Sequence, residues 1–540
     1  MAKLTDNPQP EAVAVEHQAG EPQQVAVEDA VMIADRAEHA KVSPWTISML
    51  RLYGCLLIGY LCACMNGYDG SVMGGINGMD SYLQYFNMQV QVSASSSTGI
   101  LFAIYNIGTI CAVPFVGPVN DFWGRRAGMF TGAVLVIVGT VIVAAAKDHG
   151  MFMGGRFLLG FGVSFCNVSG PVYVGELAHP NYRGVLCGLY NCFWYIGSIV
   201  ASWVVYAVKD KANGWRIPLY CQLISSCFIV LFVWLLPDSP RWHMSYGRKD
   251  AARKILTRYH GEGDPEHPLV TLQLAEMEYQ ISTDGSDKKW WDYSELWKTH
   301  ENRRRLIPVL TMACFSQWSG NSVSSYYLPV ALENAGITSQ SRRLLLNAIN
   351  SPLCFVAAIT GSFLVDRAGR RPMLMGTLAI ITCCFAIITP TSKLAADNPD
   401  NSAAGNATIA FIYLFGIIYS FAWTPMAPMY VVECLGTNAR AKGKSVAQFV
   451  TAASSAIIQY SSGPAFQNIH YYFYCVFIAW NCIELLVIYF TWPETAGRTL
   501  EELSEVFSAP NPVKKSLQAK DMQTVFNTMH ADVPDSKMEV

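Results

Sequence analysis

Apolar stretches recur along the chain at a near-constant length. Each holds roughly 20 residues with few charges, enough for a helix to cross the hydrocarbon core of a bilayer. They fall near 49–76, 96–118, 127–146, 151–172, 186–207, 217–236, 307–330, 344–365, 372–390, 407–430, 446–464 and 472–491. That makes twelve predicted spans in two groups of six. The interval from Asp238 to Arg305 is too charged to span and too long for a hairpin loop. Within it, "AARKILTRYH" and "LAEMEYQI" have the spacing of short amphipathic helices. The pattern predicts an all-α membrane protein with a six-helix half at 46–237, a linker at 238–305 and a second six-helix half at 306–492. Tails at 1–45 and 493–540 flank them. The first forty residues are polar and acidic, lack the apolar core of a secretory signal, and read as disordered.

Basic residues orient the spans. The loop from Ser71 through Ser97 has no Lys or Arg, whereas the next loop reads "NDFWGRRAG". The linker ends in Arg303-Arg304-Arg305, and later basic clusters lie at Arg370-Arg371 and at Arg440, Lys442 and Lys444. Lys209, Lys211, Arg342 and Arg343 are the exceptions. The positive-inside rule puts both termini and the linker in the cytoplasm.

Composition agrees with a bilayer setting. Charged residues make up 14% of the chain, against about 25% in soluble domains. The formal net charge of −2 suggests no nucleic-acid partner. Most of the sixteen cysteines sit in apolar runs and read as small buried hydrophobes. No Cys/His spacing suggests a metal site, and no Walker A loop suggests ATP-driven work. No convergent nucleophile, base or metal set suggests an enzyme. The sequons at Asn406 and Asn167 are set aside, the first as too close to the membrane and the second as buried inside span four. "HGEGDPEH" from His260 reads as a turn.

The two halves repeat each other. "DFWGRR" from Asp121 matches "DRAGRR" from Asp366, each after the second span of its half. Glu176 and Arg183 are seven residues apart, as are Glu433 and Arg440. "PDSPR" from Pro237 matches "PETAGR" from Pro493. Three landmarks in one order imply a parallel duplication, and like halves flanking a midplane site imply alternating access by rocking. Gly124 and Gly369 allow a tight turn. Arg125, Arg126, Arg370 and Arg371 are placed to bond carboxylates at neighbouring helix ends. With Asp121, Asp366, Glu176, Glu433, Arg183 and Arg440 they form a candidate gate.

Together "GYDGSVMGGI", "DFWGRR", "GRFLLGFGVSF", "PVYVGELAHPNYRG", "PDSPR", "VDRAGRR", "VVECLGTNARAKG" and "PETAGRTLEE" resemble the sugar porters of the major facilitator superfamily, over about residues 45–507. "GLYNCFW", "KKWWDY" and "FSQWSGNSVSSYY" look like the fungal lactose and cellobiose permease branch. The resemblance implies the major facilitator fold in the plasma membrane, a sugar as substrate, the lipid bilayer as setting, a monomer, and no cofactor other than a coupling proton.

Polar side chains within spans are costly unless they face a cavity or a partner, so each is a candidate. Asn66 and Asp69 are three residues apart, and Asn191 and Trp194 repeat that spacing. Gln317 and Asn321 are four apart, and Trp423 precedes Pro425 and Pro428. Amides suit paired sugar hydroxyls, and aromatic faces suit the C–H side of a ring. By resemblance, Asn66, Asn191, Trp194, Gln317, Asn321 and Trp423 bind substrate, and Tyr326 and Tyr327 form an outer gate. The family usually has Gln where Asn191 stands, and a second Trp is common where Pro428 stands. These departures suggest a longer, disaccharide-type site. Arg156 is the natural ion-pair partner of Asp69, and protonation of Asp69 would release it, coupling a proton to transport. Glu484, another intramembrane carboxylate, receives no role. Proton-coupled import of a disaccharide is therefore expected. The alternatives are a facilitative carrier of hexose or another monosaccharide, and a non-transporting sugar sensor.

Overall fold

The structure is a computed structural model. It describes residues 43–86, 96–284, 293–321, 328, 331–332, 337, 339–398, 402–435, 440–496, 498 and 500–518. Helix α1 (Ile47–Ile76) starts at Thr46, whose hydroxyl accepts from the Met49 amide at 3.4 Å. Then come α2 (Ser96–Ala144), α3 (His149–Leu177), α4 (Arg183–Ala207) and α5 (Leu223–Phe232). The linker forms α6 (Lys249–Tyr259) and α7 (Pro268–Asp284). The second half holds α8 (His300–Trp318), α9 (Gln340–Ala368), α10 (Arg370–Asp397), α11 (Ser402–Cys434), α12 (Arg440–Ile469) and α13 (Phe473–Thr491).

Among the described residues, nine helical stretches are long and apolar enough to span. Two of them, Gly99–Ala144 and Lys442–Thr491, each hold two expected spans. The first is broken at Gly124, where φ is 88°, and the second at a 3-10 turn over His470–Tyr472. Eleven expected spans are thus accounted for. The seventh begins as α8 and runs on into residues outside those described. Phe363, Leu235, Phe490 and Leu231 are each more than two-thirds exposed. So much apolar surface is expected of a bundle whose solvent is lipid.

Small residues let the helices approach closely, as membrane packing demands. A Cβ on Gly67 would lie 1.9 Å from the Trp194 carbonyl oxygen, and one on Gly197 1.9 Å from that of Cys64. Those two glycines clamp α1 to α4, and the clamp holds Asn66 beside Asn191 and Trp194. The halves meet along two seams, α2 against α12 and α4 against α9.

Both expected linker helices are present. Met244, Ala252, Leu256, Val270 and Met277 give them a small core of their own. Past the last span, helices also form over Leu500–Ser508 and Pro512–Leu517. Arg304 ties this segment to α8 by donating to the carbonyls of Ala509 and Pro510.

Candidate functional site

A cavity of about 430 Å³ lies between the halves. Asn66, Asn191 and Trp194 line it from the first half, and Gln317, Asn321 and Trp423 from the second. All six residues chosen from the sequence therefore meet around one space. Trp423 is fully buried, and its indole N–H has no hydrogen-bond partner among the described residues. Tyr419 stacks on it at 6.2 Å and 9°, and Tyr419 donates to the Ser316 carbonyl at 2.5 Å. Tyr105 donates to Asn66 Oδ1 at 3.4 Å, which orients that amide.

On the face away from the linker, described residues of the two halves are in contact beside the cavity. There Asn106 donates to Gln459 Oε1 at 2.8 Å, across the α2–α12 seam. Ser351 of α9 lies 3.1 Å from Ser198 and 3.4 Å from Ser202 of α4. A Cβ on Gly99 would meet the Tyr460 carbonyl at 2.5 Å. Toward the linker face, the wall continues to Pro428, Val431, Lys444 and Gln448. The cavity therefore extends toward that side.

Asp69, expected as the coupling acid rather than a sugar contact, lies behind the cavity wall. Gly70 and Ser71 line the cavity but Asp69 does not. A three-residue step turns a side chain about 60° around a helix, enough to move Asp69 behind the wall. It is 1% exposed, and neither carboxylate oxygen has a hydrogen-bond partner among the described residues. Arg156 is buried too, but no ion pair joins the two among the described residues. The guanidinium instead lies 4.9 Å over the Tyr105 ring, an attractive cation–π placement. Because Tyr105 also holds Asn66, Arg156 and the cavity wall share one ring.

The repeated motifs form two matching clusters. Arg125 donates to Glu176 Oε1 at 3.0 Å, and Arg370 to Glu433 Oε1 at 3.0 Å. Asp121 lies at the margin, 3.9 Å from Arg125. Each pair joins elements within its own half rather than bridging the halves, unlike a direct lock between them. Two further carboxylates complete the clusters. Asp238 accepts from the Arg125 amide at 3.2 Å, and Glu494 accepts from the amides of Arg370 and Arg371 at 3.0 Å each. These bonds satisfy helix-start amides that have no partner within the helix. Arg126 donates to the Leu236 carbonyl at 2.6 Å, and Arg371 to the Tyr489 carbonyl at 2.7 Å. Tyr173 donates to the Pro237 carbonyl at 3.1 Å, and Tyr430 to the Pro493 carbonyl at 2.9 Å. Arg183 makes no ion pair among the described residues, and its Nε is unpartnered. Tyr326 and Tyr327 lie outside the described residues, as do the side chains of Asp366 and Arg440.

Several wall residues were not chosen from the sequence. Asn167, set aside as a buried sequon, lines the cavity, as do Tyr105, Asn350 and Thr424. Their signal was a polar residue within an apolar span, which cavity walls and interhelical bonds share. Glu484 is fully buried and accepts from Trp480 Nε1, while its second oxygen has no partner. Some cysteines also depart from the buried reading: Cys111, Cys227, Cys383, Cys475 and Cys482 are exposed on the bundle surface.

Two like helical halves around a polar and aromatic cavity define a secondary transporter. The chain belongs to the sugar (and other) transporter family, whose sequence profile matches residues 55–507. It has the major facilitator fold of the sugar porters, and it is a transporter rather than an enzyme. A high-affinity glucose transporter of Kluyveromyces lactis is 26% identical over 84% of this chain and 85% of its own. A probable quinate permease of Aspergillus flavus is 26% identical over 88% and 91%. The xylose transporter XylE of E. coli, in a partially occluded inward-open conformation, superposes with a TM-score of 0.69 at 20% identity. That match covers 83% of this chain and 99% of XylE. The relatives' substrates lend no support to the narrower resemblance to lactose and cellobiose permeases.

Proposed function

We propose that the protein imports a sugar or related single-ring polyol together with a proton, by alternating access across the plasma membrane. One observation carries this reading. A cavity walled by amides and indoles from both halves has a buried carboxylate, Asp69, behind it, with no hydrogen-bond partner among the described residues. Amides pair with vicinal hydroxyls, and Trp194 and Trp423 offer faces to ring C–H groups. The volume falls within the roughly 300–1,000 Å³ of small-molecule sites. A buried charge without a partner costs several kcal/mol, so Asp69 is neutral when it stands apart from Arg156 and charged when the two meet. That exchange loads and unloads one proton per cycle. Proton movement needs no other cofactor, and one chain supplies the whole cavity, so a monomer suffices. The basic loops support a cytoplasmic linker face and cytoplasmic tails.

Glucose and quinate, carried by the relatives, favour a single ring over the disaccharide expected from the sequence. Lys444 in the cavity wall favours a second reading, a polyol bearing a carboxylate. A competition panel of glucose, xylose, quinate, lactose and cellobiose separates these substrates. Coupling is tested with a pH electrode and labelled substrate in cells lacking other carriers. Substrate should alkalinise the medium, and Asp69→Asn should abolish uphill accumulation while sparing exchange. Undiminished accumulation in that variant would remove Asp69 as the coupling acid.

A further inference from the structure

A second concave site lies on the linker face, away from the transport cavity. It is a cleft of about 520 Å³ between the first turns of α1 and helix α6. Arg51 lines it from α1, and Arg253, Lys254 and Arg258 from α6. Asp250 and Glu262 are the carboxylates in its wall, leaving two positive charges in excess. None of these six side chains makes an ion pair among the described residues.

The cations are held in place. Helix α6 buries Ala252, Leu256 and Tyr259 on its other face. Cys55 of α1 donates to the Tyr259 hydroxyl at 3.6 Å. His260, just past the helix, lies 3.0 Å from the Leu177 carbonyl of α3 and 2.8 Å from Gln273 of α7. Docked at these points, α6 cannot swing its cations apart to relieve their repulsion. The cleft also holds the Thr257 hydroxyl, buried and without a hydrogen-bond partner among the described residues.

Its depth suits a lipid headgroup. Trp45, Ile47 and Leu50 are 80%, 69% and 51% exposed at the same end of α1. Indoles favour the membrane interface, and Arg51 lies about 6 Å along the axis from Ile47. The cations therefore lie where the hydrocarbon gives way to headgroups.

We propose that this cleft binds the phosphorylated headgroup of an anionic lipid, with arginines gripping phosphate oxygens in pairs and Thr257 donating a further bond. Clustered basic residues at a membrane surface attract such lipids, and the guanidinium fork matches phosphate geometry. The site is independent of what the transport cavity carries.

The test uses the full-length protein in phosphatidylcholine nanodiscs, with and without a phosphatidylinositol monophosphate. Lipid retention is read by native mass spectrometry and stability by the melting temperature. The wild type should retain the phosphoinositide and melt higher with it. Replacing Arg51, Arg253, Lys254 and Arg258 together by Gln should weaken retention at least about a hundredfold. A Lys211→Gln, Arg342→Gln control on the opposite face should bind like wild type. An unchanged melting temperature of the quadruple variant in phosphatidylcholine alone shows that it is folded. Equal retention by wild type and quadruple variant overturns the proposal. So does stabilisation by inorganic phosphate or a free inositol phosphate equal to that by the lipid, which assigns the cleft to a soluble ligand. Binding that appears only after removal of residues 1–42 also overturns it, making that acidic segment the occupant.

Discussion

Trp423 carries an indole N–H that is buried and unpaired at the cavity wall. An unsatisfied buried donor costs about 1–3 kcal/mol, a cost a ligand hydroxyl would offset. Trp423→Phe keeps an aromatic ring and removes the donor. It should raise the transport KM about tenfold, the loss of one hydrogen bond, without lowering the melting temperature. An unchanged KM would show that the indole nitrogen does not contact substrate. Gly124 and Gly369 sit at φ 88° and 83°, backbone that side chains rarely adopt. A Cβ would lie 2.3 Å from the Asp238 carboxylate at the first and 3.1 Å from that of Glu494 at the second. Gly124→Ala should therefore lower the melting temperature more than Gly369→Ala. The glycines were legible as a repeated letter in a turn. The capping carboxylates were not, because they come from more than a hundred residues downstream.

At the scale of elements, the linker helices are docked through histidines. His179, between α3 and α4, is fully buried, and its Nδ1 accepts from the Asn181 amide at 3.3 Å. The His260 ring lies 5.1 Å away. Burial, then the fields of His260, His267 and Arg183, hold the His179 pKa down to about 4. A lowered histidine pKa means the folded state resists a proton that the unfolded state takes up from pH 6.5 downward. Stability is therefore present above that value and is lost as pH falls toward 4. Melting temperatures at pH 7 and pH 5 should show a drop that shrinks in His179→Asn, which keeps a capping acceptor and has no titrating group. A drop of the same size would exclude His179 as its source. Periodicity located α6 and α7 because each buries one stripe. It could not say what they dock against, since Tyr259 and His260 meet Cys55 and Leu177 only in the folded chain.

For the whole molecule, two seams join the halves. Asn106 and Gln459 bridge them on the face away from the linker, so alternating access must part them. A short bifunctional cross-link between Asn106→Cys and Gln459→Cys should abolish transport, leave substrate binding from the linker face intact, and be reversed by cleaving the linker. Full transport in the cross-linked protein would mean that this seam does not open.

The sequence by itself determined the spans, their duplication and the residue types of the cavity, because bilayer thickness and the cost of buried polar groups act locally along a helix. Arg125 with Glu176 and Arg370 with Glu433 followed from the repeat. Only the tertiary structure decided which polar residues face the cavity. Asn167 does and Asp69 does not, because rotation about a helix axis is fixed by contacts with neighbouring helices. It also decided that each of these ion pairs stays within one half and that Arg156 rests on Tyr105. Those outcomes depend on how residues far apart in the chain pack, and no local pattern encodes that.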